Sequence, residues 1–419
     1  MTGVVRLLRR PAAGALAGQV TSALAGFVLQ VAAARALGAA GLATFSLAYG
    51  AIVLATAVCS GLVGDSLTVL DRREPRIRAG LHVSTALVSG TAGLAGCVLG
   101  VTTGVLPAWA GLLLGAATAA FVLEDTLRRL LMAAGRFWSL PAVDVTSLVV
   151  ALGTLLVAAR AGGLTLSAFV VALLAGQSAA AVVAWLLLPA DERPRGPWRR
   201  PALGTVLAFG SWRAAAQTVR PALLTVLRLF VVAVAGAAAY GPLEAARVYT
   251  APTLVLVAGL GTFLLPYFVE LRPQGPAAGL RAADRAAAGL ALAVGAVGLL
   301  AVLALPWAGP LVTGGGYAVP AGAVAGWSVY AVASAVLLPY SGLASVHGAQ
   351  RRVLVLRGFE FASLAAVAVL LLAVDGGVPW TPLALTLGPV LAAVAVRRLV
   401  LLPLARRTPV PAVREPAVA

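Results

Sequence analysis

A chain of 419 residues that is 61% hydrophobic and 11% charged, with a mean hydropathy of +0.99, excludes an ordinary soluble domain and reads as a polytopic membrane protein. A net charge of +17 would direct a soluble protein to nucleic acid, but here the arginines fall in short connections between apolar runs. The charge therefore reports topology, and no nucleic-acid partner is expected.

Arg6, Arg9 and Arg10 open the chain, followed by an apolar run to Ala34 that resembles a signal peptide. The run exceeds twenty residues and flows into a second apolar stretch, so it reads as a retained first helix. Runs long enough to cross a hydrocarbon core of about 30 Å fall at 12–35, 42–64, 80–103, 106–127, 141–159, 163–188, 206–235, 242–269, 286–308, 320–345, 354–374 and 379–401, predicting twelve spans. With the N-terminus inside, 25 of the 31 arginines lie in internal segments and only Arg35 and Arg160 in external turns, which predicts both termini on the cytoplasmic side. External turns such as Leu37 to Gly41 are too short for an external domain. The proline- and arginine-rich connection Asp191 to Pro201 lies almost at the midpoint. The predicted organisation is all-α: an N-terminal six-helix bundle over 1–190, a cytoplasmic linker over 191–202, a C-terminal six-helix bundle over 203–402 and a disordered tail over 403–419.

Cys59 and Cys97 lie inside apolar segments without the spacing of a metal site or a disulfide framework, and His82 and His347 are the only histidines. Neither a metal nor a cofactor is expected.

The exceptional stretch is Arg213 to Arg247. Phe209 to Val234 reads as one helix, and about 100° per residue puts Arg213, Gln217, Arg220 and Arg228 within an arc of roughly 80°. An arginine at the bilayer centre costs about 2.5–3.5 kcal/mol, so this face must look into protein or water. Gly236 to Pro242 reads as a short turn, and the next helix carries Glu244 and Arg247. Arg228 and Glu244 each lie eight residues from Gly236, so an antiparallel pair puts them at similar depth, where an ion pair is expected. Two readings stay open: a basic lining for an anionic substrate, or a structural buried cluster with Arg213 snorkelling to the interface.

A faint repeat accompanies the midpoint. Gln19 and Gln30 match Gln217 and Arg228 at an offset of 198, and Gly41 and Tyr49 match Gly241 and Tyr249 at an offset of 200. Six helices per half make such a repeat parallel, with a pseudo-twofold axis along the membrane normal and a site between the halves. Gln19 and Gln30 share a face of helix 1, so helices 1 and 7 are expected to face each other across a polar central cavity. Pro221, Pro252 and Pro266 permit bends in helices 7 and 8, read either as gating joints or as static kinks.

Three stretches resemble the polysaccharide and O-antigen flippases of the multidrug/oligosaccharidyl-lipid/polysaccharide (MOP) export superfamily: Ala33 to Phe45, with its Ala-Arg-Ala-Leu-Gly start; Glu124 to Phe137; and Ala251-Pro252 through Phe263-Leu-Leu-Pro266. The resemblance implies two bundles around a central cavity and export of undecaprenyl-diphosphate-linked sugars across a bacterial plasma membrane by alternating access. It also implies that helices 1, 2, 7 and 8 line the cavity, which brings in Gln19, Gln30, Arg220, Arg228, Glu244 and Arg247. Arginine holds phosphate through paired donors, and Arg220 and Arg228 are the first candidates for that role. Partners would be the bilayer, a lipid-linked anionic glycan and polysaccharide synthesis enzymes. Glu124, Asp125, Arg128 and Arg129 read as local pairs and anchors where helix 4 enters the cytoplasm, and Asp65, Asp144 and Glu360 likewise lie near cytoplasmic ends.

Competing readings are a cation-coupled drug exporter of the same superfamily, which calls for acidic residues within the cavity, and a non-transporting scaffold for polysaccharide synthesis. A membrane enzyme is disfavoured, because the external turns leave no room for reacting groups. A major-facilitator signature fails after Asp65, where Ser66 to Arg73 intervenes.

Overall fold

The computed structural model describes residues 11–104, 106–193, 200–250 and 267–406, together with Thr253, Val257 and Leu264. Pro11–Cys59 is helical throughout except at Gly38 (φ 67°, ψ −175°). The apolar stretch Ala13–Leu67 has 55 residues, about 80 Å as one helix and too long for one crossing. Gly38 therefore joins two antiparallel helices, α1 (11–37) and α2 (39–59), and α2 continues through a wide turn, Ser60–Gly64, to Asp65–Val69. Then come α3 (Pro75–Thr102), α4 (Ala108–Ala133), α5 (Leu140–Ala161), α6 (Leu166–Leu187) and α7 (Leu203–Ala235). The start of α8 is Ala237–Val248, and residues 267–271 are helical again. The chain closes with α9 (Pro276–Thr313), α10 (Ala321–Val346), α11 (Gln350–Ala373) and α12 (Val378–Arg406).

Ten apolar stretches among the described residues are long enough to cross a membrane. The first is the α1–α2 pair, and α8 adds one more element, so the predicted order of twelve stands and the chain is a multi-pass membrane protein. Pro252 and Pro266, and the motif around them, lie outside the described residues.

The repeat extends to the backbone. Gly236, between α7 and α8, has φ 86° and ψ 160° and stands 198 positions after Gly38. Both glycines use a positive φ that residues with a Cβ rarely adopt, so each half begins with a hairpin joined by one glycine. The predicted turn from Gly236 to Pro242 is corrected here: the helix restarts at Ala237, with Pro242 inside it.

The largest apolar cluster draws on both halves at the end carrying these joints, with Phe45, Phe169, Leu223, Tyr240, Trp327 and Tyr330 among its members. At the arginine-rich end the clusters are separate, one around Leu67, Leu131 and Leu188, the other around Leu280, Leu343 and Val400. Two glycines let α2 approach the second half closely, one at each level. A Cβ on Gly241 would collide with the Ala39 carbonyl, and one on Gly61 with the Ala214 backbone.

The ends of the predicted linker are tied to the start of α3. Arg72 pairs with Glu192 at 2.9 Å, and the Ala202 amide donates to the Arg76 carbonyl at 2.9 Å. Residues 403–406 of the predicted tail belong to α12, and the rest of it lies outside the described residues.

Candidate functional site: a basic cavity between the halves

In α7, Arg228 lies two turns before the C-terminal end and is 5% exposed; in α8, Glu244 is 1% exposed. Arg228 Nη2 donates to Glu244 Oε1 at 3.3 Å and Nε to Oε2 at 3.5 Å, the pairing that equal depth predicted. Arg247, one turn along α8, donates from Nε to Glu244 Oε1 at 2.8 Å. Tyr240 Oη, one turn earlier, donates to Oε2 at 2.8 Å. The turn reading hid Tyr240, since only a helix from Ala237 puts it on the Glu244 face.

A buried ion is costly unless paired and fully hydrogen-bonded, and here one carboxylate accepts from three donors. The consequence is electrostatic. Glu244 neutralises one arginine's worth of charge, while Arg228 and Arg247 keep further N–H groups free of it.

Those groups border a cavity of about 310 Å³ whose lining includes Gln30 of α1, Tyr49 and Gly50 of α2, Arg220, Arg228, Arg247, and Trp327 and Tyr330 of α10. Arg220 lies over the Tyr330 ring, 5.5 Å from its centroid, a cation–π contact that holds the guanidinium without neutralising it. Trp327 Nε1 donates to the Leu243 carbonyl at 2.8 Å and packs edge-on against Tyr330, fixing α10 against α8. Gly50 leaves room for Arg228, since a Cβ there would lie 2.6 Å from Nη1. Helices 1 and 7 thus face one cavity, as predicted.

Four predicted lining residues are not in it, the first being Glu244, which is buried against Arg228 and Arg247 and does not border the space. Arg213 shares the helical face of Arg228 but lies fifteen residues earlier, about 22 Å along the axis. It donates to Asp65 at 3.3 Å across the two halves and covers the Phe209 ring. Gln217 is exposed, and Gln19, three turns before Gln30, also lies outside the lining. The arc was read correctly as a direction, but depth separates its members.

A second cavity, about 220 Å³, lies within the first half and shares Tyr49 and Val53 with the basic one. Its lining carries Glu124, Asp125 and Arg128 of α4, Asp144 and Ser147 of α5, and Gln177 of α6. Arg128 Nη2 donates to Asp144 Oδ2 at 3.1 Å and to the Gly18 carbonyl at 3.0 Å, while Thr21 also donates to Asp144, at 2.9 Å. Asp125 accepts from Arg129 at 2.9 Å and from Ser60 at 2.6 Å. These contacts are the local pairs that the sequence suggested, yet the same groups enclose a cavity that the sequence did not reveal. Among the described residues, no group of three or more His, Cys, Asp or Glu side chains is placed to hold a metal ion.

Residues 112–294 match the family described as polysaccharide biosynthesis protein. No curated protein matches the chain. Among solved structures, an inward-facing multidrug-resistance MATE family transporter of the MOP superfamily is similar over 92% of this chain and 96% of its own, with a TM-score of 0.71 and 14% identity. A eukaryotic MATE transporter, AtDTX14, is similar over 93% and 94%, at TM-score 0.66 and 15% identity. A MOP superfamily transporter from Pyrococcus furiosus, described as having a binding pocket of reverse polarity, is similar over 92% of each chain, at TM-score 0.64 and 15% identity.

Proposed function

From a MOP superfamily fold and a polysaccharide-biosynthesis family match across the middle of the chain, which together support the flippase resemblance read in the sequence, we infer that the protein exports a lipid-linked anionic glycan. The substrate is undecaprenyl-diphosphate-linked oligosaccharide or a related precursor, moved outward across a bacterial plasma membrane with both protein termini in the cytoplasm. The observation that carries this reading is the lining of the cavity between the halves by three arginines, two of them paired with the one buried carboxylate, Glu244. Arg220, Arg228 and Arg247 outnumber Glu244, so the site retains positive charge at membrane depth. A diphosphate supplies the missing anion and accepts paired guanidinium hydrogen bonds. Glu244 acts as the positioning group, holding Arg228 and Arg247 in place before the substrate arrives. Outward movement of an anion is favoured by an inside-negative potential by about 2.3 kcal/mol per charge per 100 mV.

The test is flipping of a fluorescent undecaprenyl-diphosphate sugar by the purified full-length protein in liposomes, with and without an imposed potential. Flipping that accelerates in the outward sense supports the proposal. No flipping, with efflux of a cationic dye instead, would transfer the protein to the drug-exporter reading, which the carboxylates of the second cavity favour.

A further inference from the structure

Resting on the flippase reading, we propose that the cavity inside the first half is the seat of the sugar next to the diphosphate, and that it favours a neutral or amino sugar over a uronic acid. The first observation is continuity. Tyr49 and Val53 line both cavities, so the basic space and the second space adjoin through a shared wall on α2. A headgroup held by Arg228 and Arg247 would project its sugar past Tyr49 toward α4, α5 and α6.

The second observation is a set of unmet hydrogen-bonding groups. Glu124 makes no hydrogen bond or ion pair among the described residues, although Asp125 and Asp144 beside it have partners. Gln177 donates through Nε2 to Ser147 Oγ at 3.1 Å, while its Oε1 is buried without a partner among them. Arg128 Nε is likewise buried and unpartnered. Two acceptors and one donor are therefore unmet around one small space, and leaving such groups unpaired is costly. A polyhydroxylated ring answers all three, because each hydroxyl both donates and accepts.

Aromatic surface is present as well. Tyr49 and Phe121 meet edge to face with centroids 6.0 Å apart, and both border the cavity, giving apolar faces for the C–H side of a sugar. The volume, about 220 Å³, corresponds to about seven waters at roughly 30 Å³ each, a space for one ring and not for an oligosaccharide. Arg128 pairs with Asp144 and Arg129 with Asp125, which leaves Glu124 as the lining carboxylate without a counter-ion, so an acidic sugar is repelled where the diphosphate next door is attracted.

The experiment titrates full-length protein in lipid nanodiscs with farnesyl diphosphate, with the same lipid carrying N-acetylglucosamine, and with the glucuronic acid counterpart. Wild type should bind the N-acetylglucosamine form roughly tenfold more tightly than the bare diphosphate, the worth of one or two additional buried hydrogen bonds, and the glucuronic acid form no more tightly than the bare one. Glu124→Ala and Gln177→Leu, each checked for an unchanged elution volume and thermal midpoint, should bring the sugar-to-bare ratio toward one. A wild-type ratio near one, or a ratio that survives both variants, overturns the proposal. So does a Glu124→Ala protein that keeps the ratio but loses a pH dependence of flipping, which would make the cavity a cation-coupling site. The headgroup reading fails separately, if the bare diphosphate binds wild type and Arg228→Ala equally. If none of the three farnesyl ligands binds wild type, both readings fall.

Discussion

The two halves place their buried charge differently. In the second half one carboxylate, Glu244, gathers two arginines and a tyrosine, and a third arginine rests on an aromatic ring. In the first half three carboxylates share the lining of their cavity with one arginine, Arg128, and Glu124 has no partner among the described residues. The hairpins that open the halves correspond, down to the glycine joints Gly38 and Gly236, yet the cavities beside them have opposite polarity. A repeated backbone thus presents unlike chemistry to one central region, which suits a ligand whose two ends differ.

The comparison is broken most severely at Glu244. Glu244→Ala leaves Arg228 buried without its counter-ion, and removing one member of a buried pair costs about 3–5 kcal/mol. Thermal unfolding in detergent should show a larger loss of stability for Glu244→Ala than for Arg228→Ala, Tyr240→Phe or Asp65→Asn. Arg228→Ala is milder for folding, because Arg247 and Tyr240 still satisfy Glu244. It should instead abolish flipping, and a variant that is folded and still active would remove the phosphate role from Arg228. Tyr240→Phe deletes one hydrogen bond to a charged acceptor, about 1.5–3 kcal/mol. Its thermal midpoint should fall between those of wild type and Glu244→Ala. The smallest effect belongs to Asp65→Asn. The Asp65–Arg213 pair is partly exposed, its Arg213 side chain 39% accessible, so its loss should cost no more than about 1 kcal/mol. A larger loss on unfolding would mean that this link between the halves matters more than its exposure suggests.

The spans were legible because about twenty consecutive apolar residues have few alternatives in a chain of this composition. The Arg228–Glu244 pair was legible too, since distance from a hairpin joint sets depth. Arg213 was misplaced for the converse reason: a helical arc gives direction, and fifteen residues of rise carried it away from the cavity to Asp65. Tyr240 was hidden by Gly241-Pro242, which read as a turn although proline is tolerated there inside α8. The cavity of the first half could not be read at all. Glu124, Asp144 and Gln177 come from three helices, and spacing along one helix says nothing about which neighbour faces it.

The most direct test of the central claim, that the basic cavity recognises the diphosphate, compares flipping of an undecaprenyl-diphosphate sugar with flipping of the same sugar on a neutral undecaprenyl alcohol linkage. The measurement is made in liposomes containing wild type or Arg228→Ala. Wild type should move the diphosphate lipid at least about tenfold faster, the equivalent of one charge-assisted hydrogen bond, and Arg228→Ala should lose that preference together with most of the activity. Equal rates for the two lipids in wild type, or a preference that persists without Arg228, would contradict the account.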